Sequence, residues 1–208
     1  MKLPDPPLLV ITDRSRARRS LTEIAEAAFR GGCRWFSVRE KDLPAPERRA
    51  LLAELVELGR PFGAVVMAHD DIDAVLATGA AGVHLPGGSD PAAVRQRLPQ
   101  GLIGVSAHFA TEAVAQLRAG ADYVTLSPIF LTGSKPGYGP AIGLDALAAA
   151  ASMAPGPIVA LGGITPDNAG QCLAAGARGI AIMGEIMRAG DPEAAIRRLL
   201  AAFSVKGM

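Results

Sequence analysis

The sequence predicts an α/β fold, a single eightfold β/α (TIM) barrel. Short apolar runs alternate along the chain with longer segments whose apolar residues recur three and four apart, which is typical of a parallel β/α fold. Eight such units fit within 208 residues, whereas a doubly wound open sheet usually has fewer strands. The number of units therefore favours a closed barrel.

Each element has its own signal. Short apolar runs predict strands at 8–12, 33–39, 64–68, 82–85, 103–106, 123–127, 158–161 and 179–183. Helical periodicity predicts helices near 21–31, 46–59, 71–78, 90–98, 110–119, 143–153, 167–175 and 191–203. Asp71, Thr111 and Asp191 are typical helix starts, and Gly79 and Gly176 are typical helix stops. One helix–glycine–strand junction recurs at 77–84, 117–124 and 173–180.

Length and charge limit the class of protein. The chain is 50% hydrophobic and can bury one sizeable core, so residues 1–208 are expected to form one domain. The 21 basic residues nearly balance 20 acidic ones, which argues against nucleic acid or an anionic membrane as a partner. No segment is typical of a signal peptide or a membrane helix.

The two cysteines, Cys33 and Cys172, are expected to be buried free thiols. They lie far apart and lack CxxC or Cys/His metal spacing. This fits a protein of the reducing cytoplasm.

Glycines at the ends of the last two predicted strands indicate a phosphate site. Gly162 and Gly163 follow strand seven and Gly184 follows strand eight, where barrel enzymes commonly bind phosphate through backbone N–H groups. Paired glycines alone could simply form a tight turn. The matching glycine after strand eight favours phosphate binding.

Three cations are predicted to converge on the same rim. Arg39 and Lys41 are two residues apart after strand two, so both can point into the rim. Lys135 adds a cation from a Gly/Pro-rich loop. Each alone could be a solvated salt-bridge partner, but together they suit a pyrophosphate, whose developing charge must be stabilised.

Asp70, at the end of strand three, is a candidate magnesium ligand. A carboxylate together with phosphate and water oxygens would complete an octahedron around Mg²⁺. Asp71 is better suited to capping the next helix. The three histidines do not have the order or neighbours of a nucleophile triad or a zinc site. We expect Arg39, Asp70, Ser106, Lys135 and Gly163 to share one rim.

Motifs in order along the chain resemble those of the thiamin phosphate synthase family. They are Val10-Ile-Thr-Asp, Ser37-Val-Arg-Glu-Lys, His69-Asp, Gly82-Val-His-Leu, Gly104-Val-Ser-Ala-His, Ala121-Asp-Tyr-Val, Ser127-Pro-Ile-Phe-Leu-Thr-Gly-Ser-Lys and Ala160-Leu-Gly-Gly-Ile-Thr. The resemblance implies a transferase of thiamin biosynthesis that joins hydroxymethylpyrimidine diphosphate to a thiazole phosphate and releases pyrophosphate.

The resemblance also implies roles for individual residues. The pyrimidine diphosphate would be held by Arg39, Lys41, Ser106 and Lys135. Magnesium would be bound by Asp70, and Asp90 is a second candidate ligand. The thiazole phosphate would be held by Thr132, Ser134, Gly163, Met183 and Gly184.

Departures from the family pattern leave two other functions open. Ser37 and His69 stand where the family usually has Gln and Asn beside the pyrimidine, and the segment from His84 to Asp90 is one residue longer. A related branch, the thiazole tautomerases, shares the barrel, and there His108 would be a general acid/base. A catalytically silent barrel that binds thiazole or thiamin phosphate and regulates a partner is a further alternative.

Overall fold

A computed structural model describes residues 2–132 and 140–204 as a closed barrel of eight parallel strands. The strands pair in sequence order, and β8 pairs with β1 through Leu8↔Ile180 and Val10↔Ile182. The predicted barrel is thus confirmed. The strands are β1 (Leu8–Ile11), β2 (Trp35–Val38), β3 (Val65–His69), β4 (Gly82–Leu85), β5 (Leu102–Ala107), β6 (Tyr123–Leu126), β7 (Ile158–Leu161) and β8 (Gly179–Ile182).

Helices follow the strands. They are α1 (Leu21–Arg30), α2 (Ala45–Gly59), α3 (Ile72–Thr78), α4 (Pro91–Arg97), α5 (Ala110–Arg118), α6 (Gly143–Met153), α7 (Ala169–Ala174), α8 (Gly184–Met187) and α9 (Pro192–Ser204). The sequence did not predict α8, because four residues are too few to show a helical period. Nor did it predict the short 3₁₀ helices Arg14–Arg16 and Arg60–Phe62.

Side chains at the strand ends and junctions explain where the helices start. Ser20 and Glu23 form a capping box at the start of α1, with each side chain bonded to the other's backbone N–H. Asp71 caps α3 by accepting from the Ala74 N–H, and Asp191 caps α9. Thr111, expected to start α5, lies one residue inside it because the helix begins at Ala110.

The core has two layers because strand side chains alternate between the barrel interior and the helices. Phe36 and Val38 pack outward in the large cluster beneath the helices. Leu9, Trp35 and Tyr123 pack inward in a smaller cluster that fills the barrel. Strands buried on both faces read as nearly continuous apolar runs, which is why the sequence revealed them.

Both cysteines are free and buried, as expected. Burial raises the pKa of the Cys33 thiol to about 12 and that of the Cys172 thiol to about 11. No helix within 2–132 and 140–204 is long and apolar enough to cross a membrane.

Candidate active site

A cavity of about 330 Å³ opens at the rim formed by the carboxyl ends of the strands. The rim contains most of the residues that the sequence analysis singled out. Among the candidate residues, the cavity is lined by Arg39, Lys41, His69, Ser106, His108, Thr132, Gly163, Met183 and Gly184. Ser37, Asp70 and Asp90 are not among its lining residues.

Arg39 and Lys41 form the cationic part of the cavity after β2. The backbone N–H of Arg39 donates to Thr12 Oγ1 at 2.8 Å, which fixes the loop against β1. Glu40, between the two cations, is turned away and 2% exposed, and its Oε2 accepts from the Arg14 N–H at 2.9 Å. Burial raises the pKa of the Glu40 carboxyl. The alternation expected from the sequence therefore places both cations in the cavity.

Gly162 and Gly163 shape the wall after β7. Their φ angles of 100° and 65° are in the region that favours glycine. A Cβ on Gly163 would meet Leu131 O at 2.5 Å, so the loop after β6 lies directly on this turn. Asn168 Nδ2 donates to Gly163 O at 2.9 Å and its Oδ1 accepts from the Thr165 N–H. The hydrogen bonds of Asn168 and the close contact with Leu131 thus both hold the backbone at Gly163 in place.

The loop after β6 is anchored by backbone hydrogen bonds at both ends. The N–H groups of Ile129 and Phe130 donate to Leu161 O and Gly162 O. On the returning side, Ile142 N–H donates to Pro128 O at 2.9 Å and Gly143 N–H to Ile129 O at 3.1 Å. Ser134 and Lys135, two of the predicted binding residues, lie outside the described residues.

A buried polar cluster lies beneath the cationic part of the cavity. His84 Nε2 is 3.0 Å from Ser106 Oγ and 3.3 Å from Thr125 Oγ1, and its Nδ1 is 2.9 Å from the Tyr123 hydroxyl. Burial, together with the positive charge of Arg39, lowers the pKa of His84 to about 4. The imidazole is therefore neutral at physiological pH.

The two residues that depart from the family pattern occupy different positions. His69 lines the cavity, and its ring stacks on that of His84 with centroids 5.5 Å apart. Ser37 is fully buried, and its Oγ has no hydrogen-bond partner among the described residues. Ser37 therefore lies beneath the surface and does not line the cavity.

His108 lies on the cavity wall after β5. Its Nδ1 is 2.9 Å from the carbonyl oxygen of Ser127, and because a carbonyl only accepts, Nδ1 carries the proton. The His108 N–H donates to Glu112 Oε2 at 2.8 Å. The Ser127 carbonyl, just after β6, thus orients the ring, and Glu112 of α5 holds the backbone.

The candidate metal ligands lie beside the cavity. Asp70 follows β3, is exposed, and has a φ of 56°, which is unusual for a residue other than glycine. Asp71 is committed to its cap and to an ion pair with Arg48 at 2.9 Å. Asp90 caps α4 through Oδ1, which accepts from Ala92 and Ala93 N–H groups.

The cavity includes residues to which sequence reasoning gave no role. His84 was quoted only as part of a motif, although its alternation with Gly82 along β4 places both toward the interior. Arg188 follows α8 and lines the cavity. It was missed because α8 was missed. Glu185 and Thr165 also line this part.

Fold and site together define a class, the β/α-barrel enzymes whose working residues lie at the carboxyl ends of the strands. Within that class, the family model described as thiamine monophosphate synthase matches residues 8–186. The chain belongs to the thiamine monophosphate synthase family.

Relatives and a solved structure agree with this assignment. The thiamine-phosphate synthase of Roseiflexus sp. (strain RS-1) is 40% identical over 94% of this chain and 84% of its own. That of Moorella thermoacetica is 40% identical over 92% of each chain. The structure of thiamine phosphate pyrophosphorylase from Pyrococcus furiosus has a TM-score of 0.87 and 31% identity, and the match covers 97% of this chain and 96% of that one. The chain is thus a transferase of thiamine biosynthesis, as the sequence predicted.

Proposed function

We propose that this chain joins hydroxymethylpyrimidine diphosphate to a thiazole phosphate and releases pyrophosphate. The observation that carries the proposal is the distribution of charge in one cavity. Arg39 and Lys41 line it after β2, while Gly163, Gly184 and Arg188 line it after β7 and β8. A cavity with cationic groups at two separate points of its rim, after β2 and after β8, suits two phosphorylated substrates bound next to each other.

In this reaction the bond between the pyrimidine methylene carbon and the diphosphate oxygen breaks, and the electron pair leaves with the diphosphate. The thiazole nitrogen then donates its lone pair to the methylene carbon. Arg39 and Lys41 stabilise the charge that grows on the departing oxygen, because fixed cations act most strongly where charge develops. The neighbouring walls hold the thiazole close to the forming cation.

The remaining candidate residues divide between the two substrates. Ser106, on β5, would bind the pyrimidine diphosphate, and His69 would contact the pyrimidine ring. Lys135 would add a further cation to the diphosphate. The thiazole phosphate would be held by Thr132, Ser134, Gly163, Met183 and Gly184, a set supported by the backbone shape at Gly163.

Magnesium fits the Asp70 position. Asp71 is already occupied, but the Asp70 carboxylate makes no hydrogen bond or ion pair with the residues in 2–132 and 140–204. Those residues contain no cluster of three or more acidic, histidine or cysteine ligands. Mg²⁺ commonly takes one or two carboxylates and completes its shell with phosphate oxygens and water. When bound, it would neutralise diphosphate charge, with Asp70 and, as a second ligand, Asp90 holding it.

Incubation with both substrates and Mg²⁺ tests the proposal, with thiamin phosphate, pyrophosphate and thiazole isomerisation measured separately. We expect stoichiometric thiamin phosphate and pyrophosphate. Arg39→Gln should lower kcat/KM by about 10²-fold, as expected for a group that stabilises developing charge. Arg118→Gln, at the exposed end of α5, is the matched control. Thiazole isomerisation without joining would favour the tautomerase alternative, and binding of both substrates without turnover would favour the regulator.

A further inference from the structure

The buried cluster beneath the cavity connects three strands. Tyr123 on β6 reaches over β5 to His84 on β4, and His84 in turn contacts Ser106 on β5. Tyr123 is fully buried and His84 is 1% exposed, whereas Ser106 is only half-buried and lines the cavity. The chain of contacts therefore runs from the closed interior of the barrel to the site.

Glycine makes this contact possible. A Cβ on Gly104 would lie 2.1 Å from Cζ of the Tyr123 ring, so the ring fits against β5 only because this position has no side chain. The edge of Trp35 packs against Tyr123 with centroids 4.7 Å apart. The ring is thereby held on both sides, and its hydroxyl is directed at His84 Nδ1.

The distances determine which nitrogen of His84 carries the proton. The ring is buried and both nitrogens face hydroxyl groups, so it is neutral and has one N–H. The Tyr123 hydroxyl has one proton and two neighbours, His84 Nδ1 at 2.9 Å and Met67 Sδ at 3.7 Å. A thioether is a weak acceptor, so the proton is donated to Nδ1. The hydrogen of His84 is then on Nε2.

This assignment determines the direction of the next hydrogen bond. Nε2–H donates to Ser106 Oγ at 3.0 Å, with Thr125 Oγ1 further away at 3.3 Å. Since Ser106 Oγ accepts this bond, its own hydroxyl hydrogen is directed elsewhere, and the open side of Ser106 is the cavity. We propose that Tyr123 and His84 are positioning residues that keep Ser106 as a hydrogen-bond donor toward the diphosphate. The identity of that acceptor rests on the proposed function.

Nitrogen-15 NMR tests the tautomer directly, because the chain has only three histidines. In protein labelled with ¹⁵N-histidine at pH 7.5, we expect His84 to show an unprotonated Nδ1 and a protonated Nε2, with the signal assigned by its loss in His84→Gln. Tyr123→Phe should allow both tautomers. Met67→Leu, which removes the thioether that neighbours both the Tyr123 hydroxyl and Trp35 Nε1, should keep the original tautomer. A wild-type Nδ1–H tautomer would overturn the proposal.

Catalysis tests the consequence. Tyr123→Phe should lower kcat/KM for the pyrimidine diphosphate by about threefold to tenfold, the worth of one hydrogen bond. In a Ser106→Ala background the same change should have no further effect. An equal loss in both backgrounds would mean that Tyr123 acts only through packing. Melting temperatures of all variants separate folding from positioning.

Affinity for inorganic pyrophosphate with Mg²⁺ gives a second readout in the same variants. It should weaken with Tyr123→Phe only when Ser106 is present. If the wild type binds pyrophosphate in this way but makes no thiamin phosphate, the proposed function fails while the positioning role stands. Unchanged pyrophosphate affinity in Tyr123→Phe would overturn the positioning role.

Discussion

At the scale of single residues, the burial of His84 makes the free energy of unfolding depend on pH. Its folded pKa of about 4 lies below the ordinary value of 6.5. Below pH 6.5 the unfolded chain binds a proton that the folded chain does not, so stability falls as the pH drops from 6.5 toward 4. Between pH 7.5 and pH 5 we expect a loss of about 2 kcal/mol in the free energy of unfolding from this group.

Urea unfolding at the two pH values measures this loss. His84→Gln should be less stable at pH 7.5 but should lose less stability on acidification than the wild type. If His84→Gln loses as much as the wild type, another group is responsible.

Arg188 is the cation that the sequence analysis missed. Its exposed side chain has no ion pair within the described residues, and it lines the cavity near Gly184. We expect Arg188→Gln to raise KM for the thiazole phosphate about tenfold, as for one charge-assisted hydrogen bond, without changing KM for the pyrimidine diphosphate. Steady-state kinetics with each substrate varied will show this. Arg178→Gln, exposed at the amino end of β8, should change neither KM.

The residue scale also shows what sequence can establish about a site. Arg39 and Lys41 could be placed together because side chains two apart at a strand end share a direction. His84 could not be given a role, since its partners Tyr123 and Ser106 come from strands that only the closed barrel brings together. Asp70 could be placed after β3 from the sequence, but its unusual φ angle could not be foreseen.

At the scale of elements, the packing of β5 depends on the absence of a side chain at Gly104. Gly104→Ala would put a methyl group into the Tyr123 ring. We expect a loss of about 1–3 kcal/mol in the free energy of unfolding, as for other overpacked cores, together with reduced activity because the ring must leave His84. Denaturant unfolding and kcat/KM measure the two effects.

Gly170→Ala in α7 is the matched control. A Cβ there meets nothing within 4 Å and the helix prefers alanine, so the change should be neutral or stabilising. A tolerated Gly104→Ala with an unchanged rate would show that β5 can shift to make room.

Helices and strands differed in how well they could be predicted. Each strand from β1 to β8 was found because burial on both faces makes an uninterrupted apolar run. The ends of the strands were predicted less accurately. For example, β2 begins at Trp35 rather than Cys33, because strand pairing and not hydropathy determines where a strand begins and ends. The four residues of α8 are too few to show a helical period, so the helix was not predicted. The position of Arg188, which follows α8, could therefore not be predicted either.

At the scale of the whole molecule, the two buried cysteines can be used to detect unfolding of the barrel. Cys33 precedes β2 and Cys172 lies in α7, and both are buried with raised pKa values. A thiol-modifying reagent at pH 8 should label neither in the native protein, because thiolate is scarce and access is closed. Mass spectrometry across a urea series should show both labels appearing together with unfolding. Labelling of one thiol well before the other would reveal partial opening.

The anchoring of the loop after β6 has a consequence for how such a site can diverge. Its two stems, at 128–130 and 142–143, are held to each other and to β7 by main-chain hydrogen bonds. Main-chain hydrogen bonds do not depend on which side chains the stretch between the stems carries. Substitutions or length changes between the stems can therefore alter which substrate is preferred, while the barrel and the glycine turn after β7 are inherited unchanged.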